Sequence, residues 1–250
     1  MHRLKKSLGQ HFLKDETYVH RIIETLKEDA FTQLLEVGPG GGALTRFLLQ
    51  LKEVEFKAVE LDEEKITYLH KTFAAQNPEI ISGSILDIDA PFAGTFTVIG
   101  NFPYNISSQI LFKILEWKDQ VPVVIGMFQK EVAQRAAAKP GSKIYGILSA
   151  LVQPFYEIEY LFDVPPVAFN PPPKVMSGVI RLKRKKDELQ TRSMKDYNLL
   201  VKTAFNQRRK ALRNAVKGLF DPSVISGPVF SKRAEELSIQ EFAALTFKMK

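Results

Sequence analysis

The stretch LLEVGPGGGALTRFL, residues 34–48, joins an apolar run to an amphipathic segment through a turn with four glycines. Glycines at such a position let the backbone turn sharply and bring main-chain amides against a ligand. The spacing of Gly38, Gly40 and Ala43 fits a loose dinucleotide fingerprint, and Glu60 lies where a ribose-binding acid is expected. The stretch therefore predicts a nucleotide-cofactor pocket, without separating nicotinamide from S-adenosylmethionine.

Outward from this turn, apolar runs alternate with amphipathic segments. FKAVEL (56–61) precedes the helix-like EEKITYLHKTF (63–73), and FTVIGN (96–101) precedes another such segment. This alternation is typical of an α/β domain with a mostly parallel sheet. After the polar stretch KRKKDELQTRS (183–193) only helical periodicity remains. We therefore predict an α/β domain over residues 1–184 and a small all-helical domain over residues 185–250.

The composition excludes several kinds of protein. The 250 residues include no cysteine, so disulfides and thiolate metal sites are ruled out, and the four histidines have no metal-ligand spacing. We therefore expect no metal. The N-terminal MHRLKKSLGQHFL (1–13) is too polar for a signal sequence, and no segment approaches the roughly 18 unbroken apolar residues of a membrane span. We expect a cytoplasmic protein without membrane association.

Positive charge is concentrated in one region. Between Arg181 and Lys217 there are thirteen Lys or Arg residues and three acids, whereas the net charge of the whole chain is +7. Such a cluster favours contact with nucleic-acid phosphates. The predicted RNA surface comprises a helix that starts near Gln207, together with the N-terminal segment. Its cations are Arg208, Arg209, Lys210, Arg213, Arg3, Lys5 and Lys6.

The stretch VIGNFPYNIS, residues 98–107, ends a predicted buried strand with residues that a core does not require. A conjugated exocyclic amine is a poor nucleophile because its lone pair is delocalised into the ring. The Asn101 side-chain oxygen and a neighbouring main-chain carbonyl would accept the two amine hydrogens, while Tyr104 or Phe102 stacks on the base. Pro103 fixes φ and would hold these groups rigidly. The stretch predicts methyl transfer to an amine that is flipped out of its nucleic acid.

Taken in order, GQHFL (9–13), EVGPGGGALT (36–45), VELD (59–62), GNFPYNIS (100–107), FNPPPKVMSGVIRL (169–182) and FNQRRKALRN (205–214) closely resemble the ribosomal small-subunit RNA adenine dimethyltransferases. The resemblance covers almost the whole chain. It implies a Rossmann-like methyltransferase domain with a mostly parallel seven-stranded sheet and a small C-terminal helical domain. It also implies S-adenosylmethionine-dependent dimethylation of two adjacent adenosines near the 3′ end of 16S rRNA during small-subunit biogenesis.

The resemblance also assigns roles to residues. The implied catalytic residues are Asn101, Phe102, Pro103, Tyr104 and Phe169, where Phe169 closes the second face of the flipped adenine. The implied cofactor-binding residues are His11, Leu13, Gly38, Gly40, Glu60, Leu61, Ser84, Ile85 and Asn101. The implied partner is small-subunit rRNA in a partly assembled subunit, and we expect the protein to act as a monomer.

Two positions depart from the family pattern. Phe102 replaces the usual Leu of Asn-Leu-Pro-Tyr, with little expected effect because the working group is the main-chain carbonyl. Ser84 stands where the family has an Asp that accepts from the cofactor's adenine amine, so cofactor binding should be weaker. Asp87 is an alternative acceptor.

Three other functions remain open from the sequence. One is a large-subunit rRNA methyltransferase of the macrolide-resistance type, which shares the glycine turn and the Asn-Pro-aromatic motif. Another is a noncatalytic assembly or transcription factor on the same scaffold. A nicotinamide oxidoreductase would leave residues 101–104 unexplained.

Overall fold

The computed structural model describes residues 11–250 and divides the chain into two compact units. The first unit is Met1–Ala133 with Ile158–Arg184, and the second is Gln134–Glu157 with Lys185–Lys250. The basic residues Arg3, Lys5 and Lys6 of the predicted RNA surface lie outside the described residues. Within residues 11–250, no helix has the length and apolar character needed to cross a membrane.

The strands are β1 Phe12–Leu13, β2 Gln33–Val37, β3 Glu55–Glu60, β4 Glu79–Ser82, β5 Thr97–Asn101, β6 Val123–Gln129, β7 Tyr156–Val164, β8 Phe169–Asn170 and β9 Ser177–Arg184. The helices are α1 Glu16–Lys27, α2 Thr45–Leu48, α3 Glu63–Thr72, α4 Ser107–Glu116, α5 Lys130–Ala137, α6 Ile147–Val152, α7 Met194–Phe205, α8 Leu212–Val216, α9 Pro222–Ile225 and α10 Ile239–Thr246.

Seven strands form the main sheet in the order β4-β3-β2-β5-β6-β9-β7. The pairings from β4 to β6 are parallel, and β9 runs antiparallel to β6. The prediction of a mostly parallel seven-stranded sheet is therefore confirmed. Residues 34–37 of β2 are all buried, as expected for a central strand covered on both faces.

The strand order places a ligand cleft between β2 and β5. The chain proceeds from β2 to β3 and β4 on one side, and then returns to β5 on the other side. Ligands of open α/β sheets bind at such a reversal, beyond the carboxyl ends of the strands. The glycine turn after β2, Glu60 at the end of β3 and Asn101 at the end of β5 all lie at this edge.

A second, two-stranded sheet ties the start of the described chain to its middle. Strand β1 pairs antiparallel with β8, so Phe12 lies opposite Asn170 and Leu13 opposite Phe169. The Lys14 amide also donates to the Ala168 carbonyl oxygen at 2.9 Å. This pairing was not predicted from the sequence, because neither two-residue strand has a detectable period. It brings His11 to the edge of the sheet where Asn101 lies.

The second unit packs around its own apolar core. Leu151 of α6 lies in this core with Tyr197 and Leu200 of α7. The Tyr197 hydroxyl donates to the Ala150 carbonyl oxygen at 2.8 Å. These contacts explain why Gln134–Glu157 groups with the second unit, which differs from the single boundary predicted at residues 184/185.

Helix ends in both units follow side-chain capping. The Asp15 carboxylate accepts from the Thr17 amide at 3.0 Å at the start of α1. Helix α10 begins with a capping box, because Ser238 Oγ accepts from the Glu241 amide and Glu241 Oε2 accepts from the Ser238 amide.

Candidate active site

A cavity of about 190 Å³ lies at the carboxyl ends of β2, β3 and β5 in the first unit. All nine residues predicted to bind the cofactor line it: His11, Leu13, Gly38, Gly40, Glu60, Leu61, Ser84, Ile85 and Asn101. Phe102, Pro103 and Tyr104 of the predicted methyl-acceptor motif line the same cavity. The structure thus brings the glycine turn and the 101–104 motif together in one continuous space.

The glycine turn adopts a backbone that only glycine takes readily. Gly38 and Gly40 have φ values of +69° and +53°. A Cβ added at Gly40 would lie 2.8 Å from the Phe12 ring, whereas one added at Gly41 would meet that ring at 3.7 Å. Gly40 is therefore required both for its backbone conformation and for the close approach of Phe12.

Main-chain amides hold the Glu60 carboxylate in place. Its Oε2 accepts from the Gly40 amide at 3.0 Å, and its Oε1 accepts from the Leu61 and Asp62 amides at 2.9 and 3.0 Å. Glu60 therefore links the end of β3 to the glycine turn and presents a fixed acceptor to the cavity. A fixed carboxylate suits the two hydroxyl donors of a ribose.

A second carboxyl group, which we had not predicted, lies deeper in the cavity wall. Glu36 is only 2% exposed, and its Oε2 accepts from the Thr45 hydroxyl at 2.7 Å. Its pKa is raised from 4.5 to about 8, mainly because burial disfavours the charged form. The Thr45 hydrogen bond opposes this shift, and the negative charge of Glu60 contributes to it. The sequence places Glu36 in a strand just before the glycine turn, and this position was the only indication of a second carboxyl group. An acid there resembles an ordinary strand residue.

The Asn101 side chain is oriented by the N-terminal segment. Its Nδ2 donates to the His11 carbonyl oxygen at 2.8 Å. Within residues 11–250, no group donates to Asn101 Oδ1 or to the Phe102 carbonyl oxygen, although the Phe102 amide donates to Met127 at 3.0 Å. Two hydrogen-bond acceptors therefore remain available at the carboxyl end of β5.

Tyr104 is held by two contacts that are distant in sequence. Its hydroxyl shares a hydrogen bond with Ser177 Oγ on β9, and burial raises the pKa of Tyr104. Its ring lies 5.4 Å from the His11 imidazole, centroid to centroid, at an interplanar angle of 33°. The His11 Nδ1 in turn donates to the Pro171 carbonyl oxygen at 2.9 Å. These contacts fix the position of the Tyr104 ring, which lines the cavity.

The two phenylalanines of the predicted site are placed differently from Tyr104. The Phe102 ring is 1% exposed and packs edge-on against Phe128 at 4.9 Å, which leaves its main chain as the group available to a substrate. Phe169 is also 1% exposed, belongs to the core cluster with Leu13 and does not line the cavity. The described structure therefore does not present the Phe169 ring as the second face of a base pocket.

Ser84 lines the cavity at the position where an acid was expected. Its Oγ accepts from the Leu86 amide at 3.1 Å, which closes a local turn. Asp87, the alternative acceptor, is exposed and does not line the cavity, because it lies beyond this turn. Leu61 lines the same cavity and is 55% exposed, so its apolar side chain is accessible to a ligand.

The predicted RNA-binding helix near Gln207 is not formed. Helix α7 ends at Phe205, residues 206–210 form turns, and α8 begins only at Leu212. The break arises because Ala211 is extended and pairs with Arg233, while the Leu212 amide donates to the Lys232 carbonyl oxygen at 2.8 Å. Arg209 and Arg213 therefore do not lie on one continuous helix, and the prediction of a helix starting near Gln207 is wrong.

The four cations of this region have different surroundings. Arg209, Lys210 and Arg213 are exposed. Arg208 instead pairs with Glu235, Nε to Oε2 at 2.5 Å, and also donates to the Lys143 carbonyl oxygen. Within the described part of the chain, residues 11–250, no group of three or more histidines or acids is arranged to hold a metal ion.

Comparison with known proteins adds to this geometry. The model of the family described as ribosomal RNA adenine dimethylase matches residues 1–245. Proteins named ribosomal RNA small subunit methyltransferase A from Cytophaga hutchinsonii and Flavobacterium johnsoniae are 49% and 48% identical to this chain. These alignments cover 98% and 99% of this chain and 96% of each relative.

Solved structures show the same architecture. A dimethyladenosine transferase from Plasmodium falciparum superposes with a TM-score of 0.79 at 25% identity, over 93% of this chain and 94% of that one. The 23S rRNA methyltransferase ErmE superposes with a TM-score of 0.72 at 22% identity, over 95% of this chain and 99% of that one, and this likeness concerns the fold.

Proposed function

This chain belongs to the ribosomal RNA adenine dimethylase family, and we propose that it dimethylates two adjacent adenosines near the 3′ end of small-subunit rRNA with S-adenosylmethionine. The family membership confirms the predicted class of enzyme, an rRNA adenine methyltransferase. Full-length relatives at 47–49% identity carry a small-subunit name, which favours this substrate over the large-subunit alternative.

One observation carries the proposal from the structure. The Asn101 side-chain oxygen and the Phe102 carbonyl oxygen are both without a donor from residues 11–250, and both residues line the cavity of the glycine turn. An exocyclic amine has two hydrogens to donate. Two acceptors in this arrangement suit that amine and leave its nitrogen lone pair for the methyl donor.

The chain's own residues would do the positioning. Asn101 cannot rotate its oxygen away without losing the hydrogen bond from Nδ2 to His11, and Pro103 holds φ at −55° between the two aromatic residues. Tyr104, fixed by Ser177, supplies an aromatic surface for the base. Oriented reactants of this kind contribute about 7–11 kcal/mol to lowering a barrier.

The cavity residues fit S-adenosylmethionine. Glu60 would accept from the ribose hydroxyls, and the glycine turn would approach the ligand closely. The exposed Leu61 and the buried Ile85 would cover an apolar ring, with Ser84 at its polar edge. When bound, this cofactor supplies an electrophilic methyl group on a sulfonium centre. Glu60 and the glycine turn would hold it beside the carboxyl end of β5.

We place the RNA-phosphate contacts on the exposed cations of the second unit, Arg209, Lys210 and Arg213. Each phosphate that these side chains neutralise releases counterions and steepens the dependence of binding on salt. The substrate we propose is a partly assembled small subunit in the bacterial cytoplasm, bound by one copy of the protein.

The experiment is incubation of the full chain with methyl-labelled S-adenosylmethionine and undermethylated small subunits, with large subunits in parallel, followed by mass spectrometry of the nucleosides. We expect dimethyladenosine from the small subunits alone. Label in the large subunits would favour the alternative substrate, and absence of label from both would support a noncatalytic assembly factor.

A further inference from the structure

Arg208 differs from its basic neighbours because its guanidinium group forms an ion pair within the protein. Its Nε pairs with Glu235 Oε2 at 2.5 Å, and its Nη2 donates to the Lys143 carbonyl oxygen. The two side chains are 38% and 23% exposed, so the pair is partly shielded from water. Arg209, next in the chain, has no ion pair with any residue from 11 to 250 and is exposed.

Glu235 also contacts the segment that contains Lys143 directly, through its main chain. The Gly141 amide donates to the Glu235 carbonyl oxygen at 2.7 Å. Gly141 has φ +85°, and a Cβ added there would meet no atom within 4 Å, so this residue lies in open space. Residues 139–145, which we call the clamp loop, end at the buried Tyr145, whose ring lies 6.0 Å from that of Phe205. The exposed part of the loop is held by Glu235 at Gly141 and by Arg208 at Lys143.

The clamp loop has its own exposed cations. Lys139 and Lys143 are exposed, and neither forms an ion pair with the part of the chain that the structure describes. Because Arg208 binds the main chain of Lys143 itself, this lysine is held close to Arg209 and Lys210. Positive charges from two separate chain segments are thus brought together.

We propose that Arg208 and Glu235 form an internal clamp that holds Lys143 and Lys139 beside Arg209, Lys210 and Arg213, building one RNA-phosphate surface from two segments. Arg208 is then a residue that positions the clamp loop, whereas Arg209 and Lys210, which follow it in the same basic run, contact phosphate. This inference rests on the proposed RNA substrate and concerns how its binding surface is assembled.

The clamp and a direct contact between Arg208 and RNA predict opposite changes in RNA affinity when Glu235 is replaced. If Arg208 bound phosphate, Glu235→Gln would remove a competing acid and strengthen RNA binding. If Glu235 serves the clamp, the same change frees the loop and weakens binding by about fivefold to thirtyfold, the size expected from re-ordering one loop residue. The affinity of the full chain for undermethylated small subunits, measured across a salt series, distinguishes the two.

Matched variants complete the test. Glu236→Gln removes the same charge one residue away while keeping an oxygen for the Arg233 amide, and it should not weaken binding. Arg208→Gln combined with Glu235→Gln should weaken binding no more than either change alone, because both break one contact. Arg209→Gln should lower the slope of log affinity against log salt by about 0.7–0.9, as expected for one lost phosphate contact.

Hydrogen exchange tests the clamp without RNA. Both Arg208→Gln and Glu235→Gln should speed exchange of the Gly141 amide, and Arg209→Gln should not. Tighter or unchanged RNA binding by Glu235→Gln, or unchanged exchange in residues 139–145, overturns the clamp. If instead the wild-type chain binds no RNA, the proposed substrate fails, while the exchange data still decide whether the clamp exists.

Discussion

The substitution Gly40→Ala, compared with Gly41→Ala, tests the argument that the glycine turn shapes the cofactor cavity. At position 40 an L-residue would have to adopt φ +53°, which costs about 1–2 kcal/mol. Its Cβ would also lie 2.8 Å from the Phe12 ring, so this cavity-lining ring must move. At position 41 the added Cβ meets the same ring at an ordinary 3.7 Å.

The expected size of the effect follows from these contacts. A stability loss of about 1–2 kcal/mol corresponds to a fall of roughly 2–8 °C in the melting temperature of a domain of this size. If the turn shifts, Glu60 also loses the Gly40 amide, and a hydrogen bond to a charged group is worth about 1.5–3 kcal/mol. We therefore expect cofactor affinity to fall by about tenfold or more, equivalent to about 1.4 kcal/mol.

Two measurements are needed for both variants: thermal unfolding by differential scanning calorimetry, and titration calorimetry with S-adenosylhomocysteine. Gly41→Ala should stay close to wild type in both. Equal behaviour of the two variants would mean that neither the positive φ nor the contact with Phe12 controls the cavity. A Gly40→Ala protein that is destabilised but binds normally would separate the turn's role in folding from its role in binding.

Four further outcomes are expected. Asn101→Ala should lower the turnover rate by about 10²–10³-fold, more than it lowers cofactor affinity, because an oriented polar partner of the reacting group is lost; near-normal turnover would refute its role. Ser84→Asp should tighten cofactor binding by about threefold to tenfold, since a carboxylate makes a charge-assisted hydrogen bond; equal calorimetric dissociation constants would remove this idea. The pKa of Glu36 is raised from 4.5 to about 8, so the unfolded chain loses this proton at lower pH than the folded protein does. The free energy of unfolding should therefore fall between those pH values by on the order of 4–5 kcal/mol. Denaturant unfolding should depend less on pH in Glu36→Gln than in the wild type, and identical pH profiles of the two proteins would contradict the assignment. Ser177→Ala should slow turnover by about threefold to tenfold and add nothing to Tyr104→Phe, whereas additive losses in the double variant would show that the two hydroxyls act separately.

Local sequence patterns were sufficient for the sheet and for much of the cavity. Buried strands such as β2 are apolar over their length, and strand ends in a parallel sheet meet at one edge, so Glu60 and Asn101 could be placed together in advance. The mostly parallel α/β fold predicted from these patterns is confirmed, as is the enzyme class implied by the family resemblance. The roles of individual cofactor-binding and RNA-binding residues stay predictions.

Contacts between distant segments explain what the sequence did not reveal. The helix expected from residue 207 onward has good local propensity, but pairing of Ala211 with Arg233 interrupts it. Ser177 lies 73 positions from Tyr104, and the His11 carbonyl lies 90 positions from Asn101. The periodicity of one segment cannot predict which distant residues its side chains will contact. The amphipathic segment after the glycine turn forms only a short helix, Thr45–Leu48.

The pair of unoccupied acceptors at the end of β5 has a consequence for how the proposed reaction stops. Adenine's amine arrives with two hydrogens, keeps one after the first transfer and has none after the second, so each turnover removes one of the hydrogen bonds that held the base. The finished product faces Asn101 and Phe102 with methyl groups where they need donors, and buried acceptors without donors are costly. The two oxygens that bind the unmodified base would therefore bind the dimethylated base poorly. The number of amine hydrogens that remain would thus determine when the base is released.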